Sequence, residues 1–295
     1  MHDPSAKGPL THDNRKSPAQ SPRTRLEYPA LRPVPSGPGA FAETAVYWKI
    51  RQAWRLAAKT GGIVWLTGPS GIGKTYCLEN RLEQDAEAHG IALHRIVLTP
   101  ATGKNLRAFA ALFTGHRAFT GADAAGDIEG RWLNLSHRFG TPPRRAAAII
   151  DEAQLAGLDV MGTLRGIWDS WEPERRAAQR EGRASCLPGL VMLGNRVFAQ
   201  GCGVAKTEEY RRWVDRLLIN GTLEGPSVAD CAAVAETFPC ADAESLALLS
   251  EIGAKLASLR AIETAYSLAA ALAPAGQLPG AAEIKEAIET HRRMT

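Results

Sequence analysis

Residues 68–75 read Gly68-Pro69-Ser70-Gly71-Ile72-Gly73-Lys74-Thr75, after the apolar run Ile63-Val64-Trp65-Leu66 and before a helical pattern. Glycines at this spacing let backbone N–H groups turn inward around an anion, and the helix that follows aims the positive end of its dipole at the same point. Lys74 would reach outer phosphates, and Thr75 would offer a hydroxyl to Mg²⁺. The whole loop, Ser70 and Ile72 included, is the expected cradle of a nucleoside triphosphate, with ATP and Mg²⁺ as its ligands.

A second chemical element is Ala146–Gln154, AAAIIDEAQ, an apolar strand that runs into two acids. Downstream of such a loop, Asp151 would complete the Mg²⁺ shell and Glu152 would polarise an attacking water. The run LVMLGN ends in Asn195, which either orients that water or simply forms a turn. Arg216, in RRWVDRLLI, and Arg260, in LASLRAIET, could offset charge that develops on the γ-phosphate. If Arg216 serves a neighbouring copy's nucleotide, hydrolysis requires assembly; Arg211 and Arg212 compete for that role.

These groups must be positioned by surrounding elements. FAETAVYWKIRQAWRLAAKT reads as a helix with Val46, Ile50, Trp54 and Leu56 near one face, stopped by Gly61-Gly62. GKTYCLENRLEQDAEAHG reads as one further helix. IVWLTG, ALHRIVLTP, AAAIIDEAQ, LVMLGN and a short LLI read as strands, separated by helical patterns from 60 to 222. That alternation predicts an α/β fold with parallel strands and helices on both faces. Trp48 and Trp65 read as packing residues. The charged stretch 172–186 reads as a solvated loop or helix end. Gly225-Pro226 marks a boundary, after which every pattern is helical. The organisation predicted is a Pro-rich basic tail (1–40), extended or disordered, an α/β domain (41–224) and a helical domain (225–295).

Bulk properties narrow the class. The chain has 295 residues, 45% of them apolar, and no run approaches the roughly 18–20 apolar residues of a membrane span. MHDPSAKGPL has no apolar signal core, so a soluble cytoplasmic protein with no membrane partner is expected. The five cysteines are odd in number and none is paired as C-x-x-C, which argues against a disulfide framework or zinc site. The net charge is +4, and residues 1–40 hold six Lys or Arg against three acids, so the body is nearly neutral. Nucleic-acid binding by that body needs a local patch, or an oligomer that sums small ones.

Taken in order, the loop at 68–75, IIDEAQ at 149–154, Asn195, an arginine near 216 and Arg260 in a C-terminal helical region resemble the AAA+ ATPases over residues 42–290. The resemblance implies a P-loop AAA+ core, a five-stranded parallel sheet flanked by helices, and a small C-terminal helical lid. DEAQL followed by GLVMLGN is similar to the transposition regulators of the TnsC, TniB and phage Mu B group. It implies a slow ATPase, stimulated by DNA or a partner, that forms rings or filaments on duplex DNA and recruits a transposase. In such proteins basic residues after the second strand face the DNA backbone, which implies Lys104 and Arg107 here, with Arg165 as a further candidate. An ordinary solvated helix start is the other reading of Lys104 and Arg107. Rival implications are a helicase-loader-like remodeller with a protein client and an ExeA-like secretion ATPase. The Pro-rich basic segment 1–40 is not expected to form the helix-turn-helix domain that the Mu protein carries, and no S-R pair precedes LLI.

Overall fold

The computed structural model describes residues 40–115, 123–137, 144–183, 186–195 and 208–294; the tail expectation for 1–40 falls almost wholly outside them. Helix α1 (Ala45–Thr60) begins where the Thr44 side chain accepts the Tyr47 N–H at 3.3 Å and ends at Gly61, whose φ of 65° suits glycine. Val46, Ile50 and Trp54 are buried, and Leu56 is half-buried. Strand β1 (Ile63–Thr67) delivers the chain to the glycine loop.

Helix α2 (Lys74–Cys77) follows, then a π turn (Leu78–Leu82), then α3 (Glu83–Ala88). One uninterrupted helix was the expectation. The π turn instead brings its first and last residues, Leu78 and Leu82, fully into the core. Next come β2 (Ala92–Val97), α4 (Pro100–Gly103), α5 (Leu106–Thr114), α6 (Ala124–Ser136), β3 (Ala146–Asp151), a 3₁₀ turn (Ala153–Leu155) and α7 (Leu158–Ser170).

Part of the charged stretch expected to be a solvated loop or helix end forms its own helix, α8 (Glu172–Arg180). Arg175 lies 3.5 Å from the centre of the Trp168 ring, and Glu172 pairs with Arg175 at 3.0 Å and Arg176 at 2.7 Å. Ion pairs one turn apart and a cation over an aromatic face supply what an apolar stripe normally does. The α/β part closes with β4 (Gly189–Gly194), α9 (Glu208–Val214) and β5 (Leu217–Thr222).

The five strands form one sheet, ordered β2-β3-β4-β1-β5, and every pairing is parallel. Trp65 and Ile150 both pair with Met192, so the three central strands are in register. One face packs on Phe109, Trp132 and Trp168, with Trp65 buried against Trp213. The other packs on α1 through Trp54 and Ala57. The close approach of α1 requires Gly189: a Cβ there would sit 2.3 Å from the Ala57 carbonyl oxygen. Because the strands are parallel, Thr67, Val97, Asp151 and Gly194 all end at one edge, where an open α/β sheet binds ligands.

From Val228 onward the chain is helical: α10 (Val228–Ala235), α11 (Ala243–Lys255), α12 (Leu259–Leu272) and α13 (Ala281–Met294). They close their own core around Cys231, Leu249, Ile262, Ala265 and Ile284. No described helix is long and apolar enough to cross a membrane.

Candidate nucleotide-binding site

The loop after β1 leaves the sheet with the Gly68 N–H donating to Gly194 O at 3.0 Å. Gly71 and Gly73 take φ of 79° and 91°, where a side chain would be strained. Ser70, Gly71, Gly73, Lys74 and Thr75 line a cavity of about 310 Å³, joined by Glu152 and Arg260. Gly68 and Ile72 stand behind it, both buried.

Lys74 is only 7% exposed. Its Nζ donates to the Gly68 and Pro69 carbonyls at 3.0 and 2.7 Å. Burial pulls its pKa down; the Asp151 and Glu152 carboxylates oppose that, and Arg260 adds to it. A buried ammonium answered mainly by carbonyls is matched to an added anion such as a phosphate.

Asp151 is fully buried at the end of β3 and accepts the Thr75 hydroxyl at 2.8 Å. Its pKa is raised by burial, against the Thr75 bond and the N–H of Glu152 at 2.9 Å. A hydroxyl and a buried carboxylate brought together from distant positions are a hard-oxygen donor pair of the type Mg²⁺ takes. Glu152 has φ 55° and ψ 36°, a left-handed conformation unusual for a glutamate. Such backbone costs about 1–3 kcal/mol and collects at functional positions.

The helical region closes the site from above. The backbone N–H of Arg260 donates to Gly71 O at 3.1 Å, and the Ser258 hydroxyl lies 3.5 Å from the same oxygen. Arg260 itself is exposed toward the cavity. Tyr76, Val234, Thr237 and Phe238, with Ala40 and Ala42, line the rest of the cavity. None of these wall residues carries a motif, so the sequence reading missed them.

Two more residues went unassigned. Gln154 donates its amide to Glu152 Oε2 and accepts the Asn195 N–H at 3.3 Å, which places Asn195 beside the site. DEAQ contains Gln154, but nothing in the string says what the amide touches. Asp230, 3% exposed at the start of α10, accepts the Ala45 N–H at 2.8 Å.

Residues 57–185 match the AAA domain family. Among solved structures, the Aeropyrum pernix ORC2 protein (ADPNP–ADP complexes) is 15% identical, with a TM-score of 0.59 over 88% of this chain and 70% of that one. The Aeropyrum pernix ORC1 protein in complex with DNA is 17% identical, with a TM-score of 0.55 over 87% and 67%. AMPPCP-bound DnaA from Aquifex aeolicus is 11% identical, with a TM-score of 0.52 over 85% and 67%. No curated protein sequence matches the chain.

The fold is that of the AAA+ ATPases. On this AAA+ core the remaining candidate residues fall into two groups. Lys104, at the end of α4, and Arg107, in the first turn of α5, are exposed on the same sheet edge as the phosphate loop. Arg216 precedes β5 and therefore lies at the opposite edge. A five-residue strand spans about 17 Å, so its guanidinium is remote from its own phosphate loop. There it donates to Asp169 Oδ1 and the Arg212 carbonyl, and the Asp169 bond raises its pKa. Arg165 pairs with the same Asp169 at 3.9 Å. Arg211 and Arg212 are exposed in the turn just before it.

Proposed function

We propose that this chain binds and hydrolyses ATP between subunits, assembles on duplex DNA and regulates transposition by recruiting or activating a transposase. The observation that carries the reading is the division of the site. Lys74, Thr75, Asp151, Glu152 and Arg260 meet around one cavity, while Arg216 stands at the far edge of the sheet, where only a second copy can use it.

Water would attack the γ-phosphate in line, oriented by Glu152 with Asn195 nearby. Lys74, Arg260 and a neighbour's Arg216 would offset the charge that develops on the phosphoryl oxygens. Thr75 and Asp151 fit Mg²⁺, which when bound would supply further neutralisation of the triphosphate. Lys104 and Arg107 give each subunit few phosphate contacts, so many subunits must share one duplex, and binding falls steeply with salt. The DNA-bound ORC1 likeness supports the DNA part. The transposition part rests on the DEAQL and GLVMLGN strings.

The likeness to ORC and DnaA structures favours a second reading, an AAA+ initiator or loader with a protein client. The test is electron microscopy of the protein with non-specific duplex and a non-hydrolysable ATP analogue. Rings or filaments that need nucleotide support the first reading; a chain that stays monomeric and unbound at low salt defeats it. Glu152→Gln should lower turnover about 100-fold or more and keep the assembly on DNA when ATP is added. Prompt release of DNA by that variant would show that hydrolysis is not what takes the assembly off DNA.

A further inference from the structure

We propose that Gln154 is the positioning residue for Glu152 and ties its orientation to the Lys104–Arg107 loop. The inference rests on the ATPase reading above. Glu152 follows β3 in a left-handed turn, and its carboxylate lines the nucleotide cavity. The Gln154 amide donates to one oxygen, Oε2. A carboxylate held by one oxygen keeps the other to face a water, and a base oriented by a third group is a recurring catalytic device. The other end of the same amide, Oε1, accepts the Asn195 N–H at 3.3 Å. One uncharged side chain therefore spans the ends of β3 and β4 and fixes the base relative to Asn195.

The turn that carries Gln154 is braced from one side. The Leu155 N–H donates to Glu152 O at 2.9 Å, and the Ala156 N–H to Ala153 O at 3.0 Å, while Ala153 is fully buried. The loop after β2 lies directly against it. The Gly157 N–H donates to Gly103 O at 2.8 Å, and a Cβ on Gly103 would be 2.3 Å from Leu155 O. Lys104 is the next residue. Backbone in contact with backbone leaves no slack, so a shift of the Lys104 loop must move the 153–157 turn, and with it Gln154. A ligand seated on Lys104 and Arg107 would thereby change how well Glu152 is aimed.

The test uses Gln154→Met, which keeps length and volume but removes donor and acceptor, and Gln154→Glu, which sets a second carboxylate beside Glu152. In the full chain, kcat of Gln154→Met should fall about 10–100-fold, the range expected when a base is misaimed. Affinity for a fluorescent ATP analogue and the unfolding midpoint should stay within two-fold and one degree or so of wild type. Gln154→Glu should lose more. Duplex DNA that stimulates the wild type should leave Gln154→Met unchanged. Wild-type turnover in Gln154→Met, or a loss matched by weaker nucleotide binding or lower stability, overturns the positioning role. Undiminished DNA stimulation in that variant overturns the coupling. A wild-type chain that binds the analogue yet turns over no ATP defeats the ATPase reading itself, a result distinct from either.

Discussion

Asp230→Ala tests how the helical region is tied to the nucleotide cavity. Asp230 accepts three hydrogen bonds: from Ser227 N at 2.9 Å, from the Ser227 hydroxyl at 2.8 Å and from Ala45 N at 2.8 Å. The first is one half of the capping box of α10, whose other half is the Asp230 N–H on the Ser227 hydroxyl at 3.1 Å; the third satisfies the first N–H of α1, 185 positions away. A hydrogen bond to a charged group contributes about 1.5–3 kcal/mol, and a cap about 0.5–2 kcal/mol. Loss of both should lower unfolding free energy by about 2–5 kcal/mol, read by urea titration with circular dichroism. Ala42 and Thr44, just before α1, and Val234 and Phe238, on and just after α10, all line the cavity, and the same carboxylate ties these two segments together. If about 1.4 kcal/mol of the loss falls on that tie, apparent nucleotide affinity drops about ten-fold, because less of the protein is competent to bind. Asp230→Asn keeps one acceptor but points an amide donor at an N–H, so it should fall between the two. An Asp230→Ala protein with wild-type urea midpoint and wild-type affinity would show that the link carries no energy.

Three further outcomes are expected. Burial pushes the Cys77 thiol up to about 12 and Cys231 to about 11, so maleimide labelling read by mass spectrometry should modify half-buried Cys186 before either. The raised value has a sign: above its ordinary 9.0, Cys77 gives up its proton only on unfolding, so stability should fall by at most about 1.4 kcal/mol per pH unit between 9 and 12. For Arg216, mixing Arg216→Ala with Lys74→Ala should restore ATPase activity that neither variant shows alone, because each supplies what the other lacks; a mixture as inactive as its parts would place the finger elsewhere.

The sheet was legible because strands buried on both faces are written as continuous apolar runs, and five such runs alternate with helical periods. The phosphate loop was legible because its spacing is local: one turn of chain carries every group. What periodicity could not show is interruption and rescue. A π turn replaces helical geometry inside an unbroken helical pattern, and α8 forms without an apolar stripe because Trp168 and Glu172 hold its arginines.

The site divides along the same line. Thr75 and Asp151 are 76 positions apart and in contact, and the sequence suggested their pairing because each closes a recognisable string. Gln154, Asp230 and Phe238 close none. Their partners, the Glu152 carboxylate, the Ala45 N–H and the cavity wall, are set by how strands, helices and lid pack, and no local spacing encodes that. Arg216 is the limiting case. Its place just before β5 could be read from the chain, but in the proposed assembly the phosphate it would face belongs to another molecule. A pattern within one sequence cannot specify a contact that would form only between two copies. The mixing of Arg216→Ala with Lys74→Ala is therefore the measurement that reaches this residue, because it reads activity that only two different copies can assemble between them.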